Sequence, residues 1–529
     1  MKYLKLTIPP GVRWHGTEYQ CENRWYDVNL MRWDQGNMLP VGGWLHYLDS
    51  DSDPSPVSIP DSMVAREAHA WFLNEASGAN GAGYYLAVAC PTHLYVMNGL
   101  GEVQKLTDGK TLPGAETPAL NKGYGGGLYG KQTYGTPRQI EGQTKMPATT
   151  WAVDNFGEWL LAVSTTDRNI WVWKPADGTF EVLKDSPRCL SLVATEERFV
   201  FALGAAQDGQ INVRRIAWCD REDPETWDVL ATNEAGGFEL QTDGAIRCGI
   251  RVRGRTLILT TTDAHVAQYS GPPLVYGFQQ VGKNCGVISD RAVAATGAGA
   301  FWMGRDGFYT YDGSAVRELP CEVTDRVFRF MDTSFFHNVF AVANAKFNEI
   351  IWFYTSRDQD GEEVIVDGQP VIKKANNRYV SYDYAQNIWS MGFIDRQVGV
   401  DSGVFDNPIW LDPENNVYRH EIENAGHGDQ KPWAESGPIT IGEGDAVMKA
   451  TQVLTDSIPV GRVEMEFKTR FEPQGEEKTH GPYAVKPKTD VRFTGRQMKM
   501  RLTVLDKEDG AKDVRIGNMR VMVTGGGRR

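Results

Sequence analysis

One layout recurs along this chain and restricts what it can fold into. An aromatic-rich strand runs into a turn of Asn or Asp with Gly, and an alternating strand leaves it. The layout is plainest in "GAFWMGRDGFYTYDGSAVRELP" (299–320) and returns in "HLYVMNGLGEVQKL" (93–106) and "NIWVWKPADGTFEVL" (169–183). Gly, Asn and Asp accept the positive φ that tight hairpins need. Strand centres at Trp171, Arg215, Val266, Tyr309 and Trp352 follow one another at intervals of 43 to 51 residues. A period of roughly 40–50 residues with several short strands per unit is β-propeller spacing. Each unit also holds a run of small or β-branched residues, read as its inner strand: "YYLAVAC", "WLLAVST", "RFVFALG", "TLILTTT", "AVAATGAG" and "NVFAVANA". The 56 glycines and 16 tryptophans suit such an architecture, with Gly at turns and aromatics on pleated faces. A generic antiparallel β protein with evenly spaced hairpins is the other reading of the same pattern.

Two stretches interrupt the period. Residues 109–150 enclose "GYGGGLYGKQTYGTPR" (123–138), rich in Gly and Tyr and without apolar periodicity. A structureless insertion of that length in a compact domain is either functional or disordered. The second, "RDQDGEEVIVDGQPVIKKANN" (357–377), reads as a charged hairpin projecting from the body. Near residue 430 the texture changes. "RVEMEFKTRFEP", "RQMKMRLTVLD" and "NMRVMVTG" alternate strictly, with Val463, Met465 and Phe467 on one face, as half-buried antiparallel strands do. The expected organisation is an extended docking segment over 1–60, a propeller-like domain over 61–430 and a C-terminal antiparallel β domain over 431–529. The fold class is all-β, with the N-terminal segment packed on the C-terminal domain.

The chemistry points away from catalysis. A net charge of −13 argues against a general nucleic-acid binder, which needs clustered Lys and Arg. Seven dispersed cysteines, never in a CxxC pair, read as reduced structural thiols with no zinc signature, placing assembly inside the cell. No apolar run approaches the length that spans a bilayer, and the start of the chain lacks an apolar stretch of secretory length. His420 and His427 form the one close histidine pair, at no known metal spacing, and are expected at the surface. GxSxG and Walker motifs are absent. Asp306 and Asp312, with Trp302, Tyr309 and Tyr311 nearby, suggest a sugar platform with two acids, but both lie at turns where Asp bonds to backbone. The sialidase Asp box is missing. No enzyme activity, cofactor or metal is expected.

The ends of the chain carry a resemblance. "PPGVRWHGTEYQCENRWYDVNLMRWDQGNMLPVGGW" (9–44) has a Pro-Gly opening, a Gly-Thr-x-Tyr element, the spaced residues Trp25, Asp27, Leu30 and Arg32, and a closing Gly42-Gly43-Trp44. Together with "REDPETWDVL" (221–230), "YDYAQNIWSMG" (382–392), "GPITIGEGD" (437–445), "FTGRQMKMRL" (493–502) and "VRIGNMRVMVTGGGRR" (514–529), it resembles the tail nozzle, or packaged-DNA stabilisation, proteins of short-tailed phages. The resemblance runs in order along nearly the whole chain. It implies a structural virion protein of the short tail, assembled in the host cytoplasm as a homo-hexameric ring at the distal end. Its partners would be the tail adaptor ring, a tail fibre or tailspike, and a needle or plug protein, with double-stranded DNA passing non-specifically through the channel. On that reading Tyr124, Gly125, Gly126, Gly127, Tyr129 and Tyr134 are candidates for a channel gate or an inter-subunit contact, a disordered surface loop being the plain alternative. A glycan-binding or glycan-hydrolysing propeller is the competing functional reading.

Overall fold

The computed structural model describes residues 2–48, 56–73, 83–120, 145–146, 148–366, 369–423, 425–440, 447–457, 462–505 and 514–525. Seven four-stranded antiparallel sheets follow one another as blades. Blades 1 to 6 span 67–105, 151–182, 191–239, 246–283, 293–319 and 340–393. Blade 7 takes three strands from 398–422 and its outer strand, Gly43–His46, from near the N-terminus. The first strands of consecutive blades lie side by side, and Val398–Val400 of blade 7 returns to Glu67–Phe72 of blade 1, which closes the ring. This is a seven-bladed β-propeller.

The apolar runs in the sequence occupy two different places. Four of them form the second strands of blades 1 to 4: Tyr84–Ala89, Trp159–Ser164, Val200–Leu203 and Arg255–Thr260. A second strand is paired along both edges and covered on both faces by neighbouring blades, so nearly every side chain is buried. The true innermost strands, such as Trp151–Phe156 and Ile246–Val252, mix buried with half-open or exposed residues because one face looks onto the axis. The inner-strand assignment is therefore corrected for blades 1 to 4 and holds for Val293–Thr296 and Phe340–Asn344. In blade 6 the hairpin Glu362–Val366/Gln369–Lys373 is inserted between the second and third strands, matching the charged hairpin read from 357–377.

Both ends of the chain build a second body. One sheet orders Lys2–Leu6, Met519–Gly525, Met448–Thr455 and Lys488–Gly495; the other orders Trp25–Asn29, Trp433–Ser436, Gln497–Val504, Val463–Arg470 and Lys478–Ala484. Their inner faces meet as a sandwich, with the Phe467 and Phe493 rings 4.6 Å apart and Val453, Met465, Leu502 and Val521 buried. Residues 1–60 are thus not one extended segment: they supply two sandwich strands, a hairpin (Met31–Asp34 with Asn37–Pro40) and a propeller strand. Among the described residues no helix is long and apolar enough to cross a membrane.

Candidate functional site: axial shaft and inter-domain joint

The recurring hairpin at 299–320 is scaffold. Trp302 and Tyr311 are fully buried, Trp302 donates from its indole nitrogen to the Cys285 carbonyl at 2.7 Å, and Tyr309 stacks on Trp302 at 5.9 Å. Neither buried ring offers a face to a sugar. Asp312 caps its own turn, accepting from the Ser314 hydroxyl (2.6 Å), the Ser314 amide (2.9 Å) and the Ala315 amide (3.1 Å). These bonds hold its carboxyl well below the usual carboxylate range. Asp306 is exposed beside a turn closed by the Gly304 amide and the Gly307 carbonyl at 2.8 Å.

The seven first strands enclose a shaft with a cavity of about 250 Å³. Its charged lining comes from positions scattered over the sequence. Asp154 accepts from Arg251 at 2.9 Å and from the Ala194 amide at 2.9 Å. Asp290 accepts from the Thr150 hydroxyl at 2.7 Å and lies 3.5 Å from Arg247. His69 Nε2 sits 3.0 Å from Asn155 Oδ1, and burial pushes its protonation below the ordinary histidine range. Arg291 spends its guanidinium on backbone, donating to the His337 carbonyl at 3.0 Å. That leaves Glu67 without a side-chain partner within 4 Å among the described residues; its one hydrogen bond comes from the Ala68 amide at 3.1 Å. Enclosure raises its carboxyl to about 7, only partly opposed by the Arg291 charge. Sequence reasoning missed this lining. The signal is a scatter of polar residues in or just before the first strands (Glu67, His69, Asp154, Arg247, Arg251, Asp290), with none in Val398–Val400.

Both insertions leave the propeller at neighbouring points. Ala115 and Thr149 clasp the roots of the first, with the Thr149 amide donating to the Ala115 carbonyl at 2.8 Å. Beyond them Ala119–Leu120 pairs with Lys145–Met146. Glu116, in this root, takes an ion pair at 2.9 Å from Lys373, at the end of the blade 6 hairpin. The candidate gate residues Tyr124, Gly125, Gly126, Gly127, Tyr129 and Tyr134 lie outside the described residues.

Where the chain passes from sandwich to propeller, the joint uses Leu30, Arg32, Gly42, Gly43 and Trp44 of the N-terminal motif. Arg32, buried, donates two parallel hydrogen bonds to Glu349 of blade 6 (3.1 and 2.8 Å) and reaches Glu421 of blade 7 (Nη1 to Oε2, 2.9 Å), with its guanidinium over Phe347. Glu421 also accepts from the Gly42 amide (3.0 Å) and from Asn344 (2.9 Å). Two carboxylates share one guanidinium, so burial keeps Glu349 raised to about 7 while Arg32 is held still more firmly protonated than usual. A Cβ on Gly42 would fall 2.6 Å from the Glu421 Cα, and one on Gly43 would fall 2.2 Å from the Ala425 carbonyl oxygen, so both positions require Gly. The Leu30 amide donates to the Tyr379 hydroxyl at 3.1 Å, and Trp25 is buried. Trp44 is flanked by His420 and His427, each ring centroid 5.4 Å away. Both histidines are buried, which corrects their expected surface placement; His420 accepts from Arg396 Nε at 3.0 Å and burial holds it neutral.

No family model matches the chain, and no curated protein matches it. Similar solved structures include the β-propeller domain of Cps50 (Swd1) from Myceliophteria thermophila, at 8% identity over 68% of this chain and 98% of that one, TM-score 0.34. PorZ, a surface component of the type-IX secretion system of Porphyromonas gingivalis, aligns at 7% identity over 75% of this chain and 44% of its own, TM-score 0.34. BamB from Moraxella catarrhalis aligns at 8% over 53% and 84%, TM-score 0.29. Likenesses this distant carry no functional argument, and the propeller rests on the closed ring of blades.

Proposed function

We propose that this chain is a structural component of a short phage tail, forming a homo-hexameric nozzle that lines and closes the DNA exit channel. The observation that carries the reading is the ordered resemblance along the chain. The stretch that opens it, 9–44, has Leu30, Arg32, Gly42, Gly43 and Trp44 at one joint. A joint of that kind suits a part that transmits force: the chain segment running from the sandwich into the propeller is fixed to blades 6 and 7 by a buried ionic cluster and by contacts only Gly admits. Propeller blades bury most strand edges and so limit unintended pairing. An acidic chain repels the DNA it would guide, which allows passage without trapping. The described roots of the two insertions are linked by the Glu116–Lys373 ion pair, so both leave the propeller on the same side, where a partner or the channel would be met. Adaptor, fibre or spike, and needle or plug are the partners of this reading.

Light scattering combined with negative-stain imaging of the purified chain tests it. Rings of about six copies are expected. A monomer that retains or hydrolyses glycans would overturn the reading in favour of a glycan-directed propeller.

A further inference from the structure

One face of the sandwich stands apart from the rest of this acidic chain. On the outward side of the sheet that begins with Lys2–Leu6, the strand register places Tyr3 opposite Met522, Lys5 opposite Arg520, Lys449 opposite Thr494 and Leu454 opposite Lys488. The Tyr3 hydroxyl donates to Gln452 at 2.6 Å, and Gln452 donates to Asp490 at 2.8 Å, which ties the strands across this same face. Five cations therefore share it: Lys5, Lys449, Lys488, Arg492 and Arg520, all exposed. None of them pairs with a carboxylate among the described residues. Asp490 is the lone acid of the face and is already engaged by Gln452. Tyr3 is 38% exposed and Leu454 and Met522 are half-buried, so the face is apolar between its charges.

The propeller carries the opposite surface. In blade 3 the excursion 220–234 holds six acids, Asp220, Glu222, Asp223, Glu225, Asp228 and Glu234, against the single Arg221. The loop is rigid. Trp227 is buried and donates to the Pro224 carbonyl at 2.8 Å, and Asp220 accepts from the amides of Arg221 and Glu234, both at 2.8 Å. So anchored, it holds Val229 and Leu230 out to solvent, 68% and 57% exposed. Two adjacent aliphatic side chains displayed on an ordered, acid-rimmed loop form an unpartnered contact surface.

We infer that the acidic loop 220–234 of one copy docks on the basic sheet face of a second copy, with Val229 and Leu230 set among Tyr3, Leu454 and Met522. Local charge and apolar complementarity select this occupant: the loop brings clustered acid together with an apolar tip to a face that carries five cations around Tyr3, Leu454 and Met522. The two surfaces are different patches on different bodies, so the contact is head-to-tail and propagates from copy to copy. The inference deepens the ring reading by naming the surfaces that meet.

Two reversed chains test it, one with Lys449→Glu, Arg492→Glu and Arg520→Glu, the other with Glu222→Lys and Asp228→Lys. All five positions are exposed, and unchanged thermal melting checks the fold. Each reversed chain alone should self-associate at least about tenfold more weakly, whereas a mixture of the two should assemble because every contact is again between opposite charges. Val229→Ser with Leu230→Ser should weaken assembly without altering its salt dependence, and raising salt from about 50 to about 500 mM should weaken the unaltered chain. Rings that survive both reversals would overturn this contact and leave the ring reading standing. Open head-to-tail chains broken by the reversals would keep the contact and overturn the ring. An unaltered chain that stays monomeric would overturn both. If the sheet reversals abolish binding of a duplex of about 30 base pairs while assembly is unchanged, the face belongs to nucleic acid and the contact is overturned.

Discussion

The shaft and the joint are both buried and both charged, yet they are built on opposite rules. In the joint, the Arg32 guanidinium and the Glu421 carboxylate bond to partners on several sides, and glycines bring backbone into contact with the acids. In the shaft, Glu67 faces a cavity with no side-chain partner among the described residues, and Arg291 spends its donors on carbonyls. The first is a fastener, in which removing the shared guanidinium leaves two buried acids behind. The second tolerates change, because the cavity has room for water to solvate what is left. Buried charge alone thus says little about importance; the number of partners that move when it is removed says more.

The contrast can be broken first at the joint and then in the shaft. Arg32→Met leaves Glu349 and Glu421 buried without a cation and should cost about 3–5 kcal/mol, measured by denaturant unfolding. Gly42→Ala forces a Cβ against the Glu421 backbone and should cost about 2 kcal/mol or more, since backbone cannot step aside as a side chain can. Glu349→Gln removes the surplus negative charge while keeping the shape, and should stay within about 1 kcal/mol of the native chain at neutral pH. A larger loss there than for Arg32→Met would overturn the fastener account.

Glu67 yields a pH signature. Its folded-state carboxyl, at about 7, lies above the ordinary value of 4.5, so the folded chain binds the proton more tightly than the unfolded one. That stabilisation is complete below about pH 4.5 and is lost as pH rises to about 7, and Glu349 adds a contribution of the same sign. Glu67→Gln should remove part of this slope, on the order of 2 kcal/mol across the window, seen in melting curves collected over that range. Arg251→Ala should have the smallest effect, below about 1 kcal/mol, because its pair with Asp154 is partly exposed and Asp154 keeps the Ala194 amide.

The sequence was most legible where burial is one-sided or total. Strict alternation at Val463, Met465 and Phe467 pointed to a half-buried strand, and all three are buried in the sandwich. Continuous apolar runs marked deep strands but not which deep strand, because total burial erases the alternation that would tell a second strand from a first. Gly43–His46 could not be assigned to blade 7 from its own pattern: its partner is the strand Val417–Ile422, and nothing local encodes that pairing. Nor could Arg32 be matched with Glu349 and Glu421, which are separated from it by 317 and 389 residues and look like ordinary surface acids in their strands. The histidines misled for the same reason: a polar stretch around His420 and His427 reads as surface until Trp44 is folded between them.

The most direct test of the central claim is to image virions whose copy of this chain carries a gold-labelled tag. Six labels arranged around the distal tip of a short tail are the result this account predicts. Label on the head, label along the sides of a long tail, or particles that lack the chain altogether would contradict it.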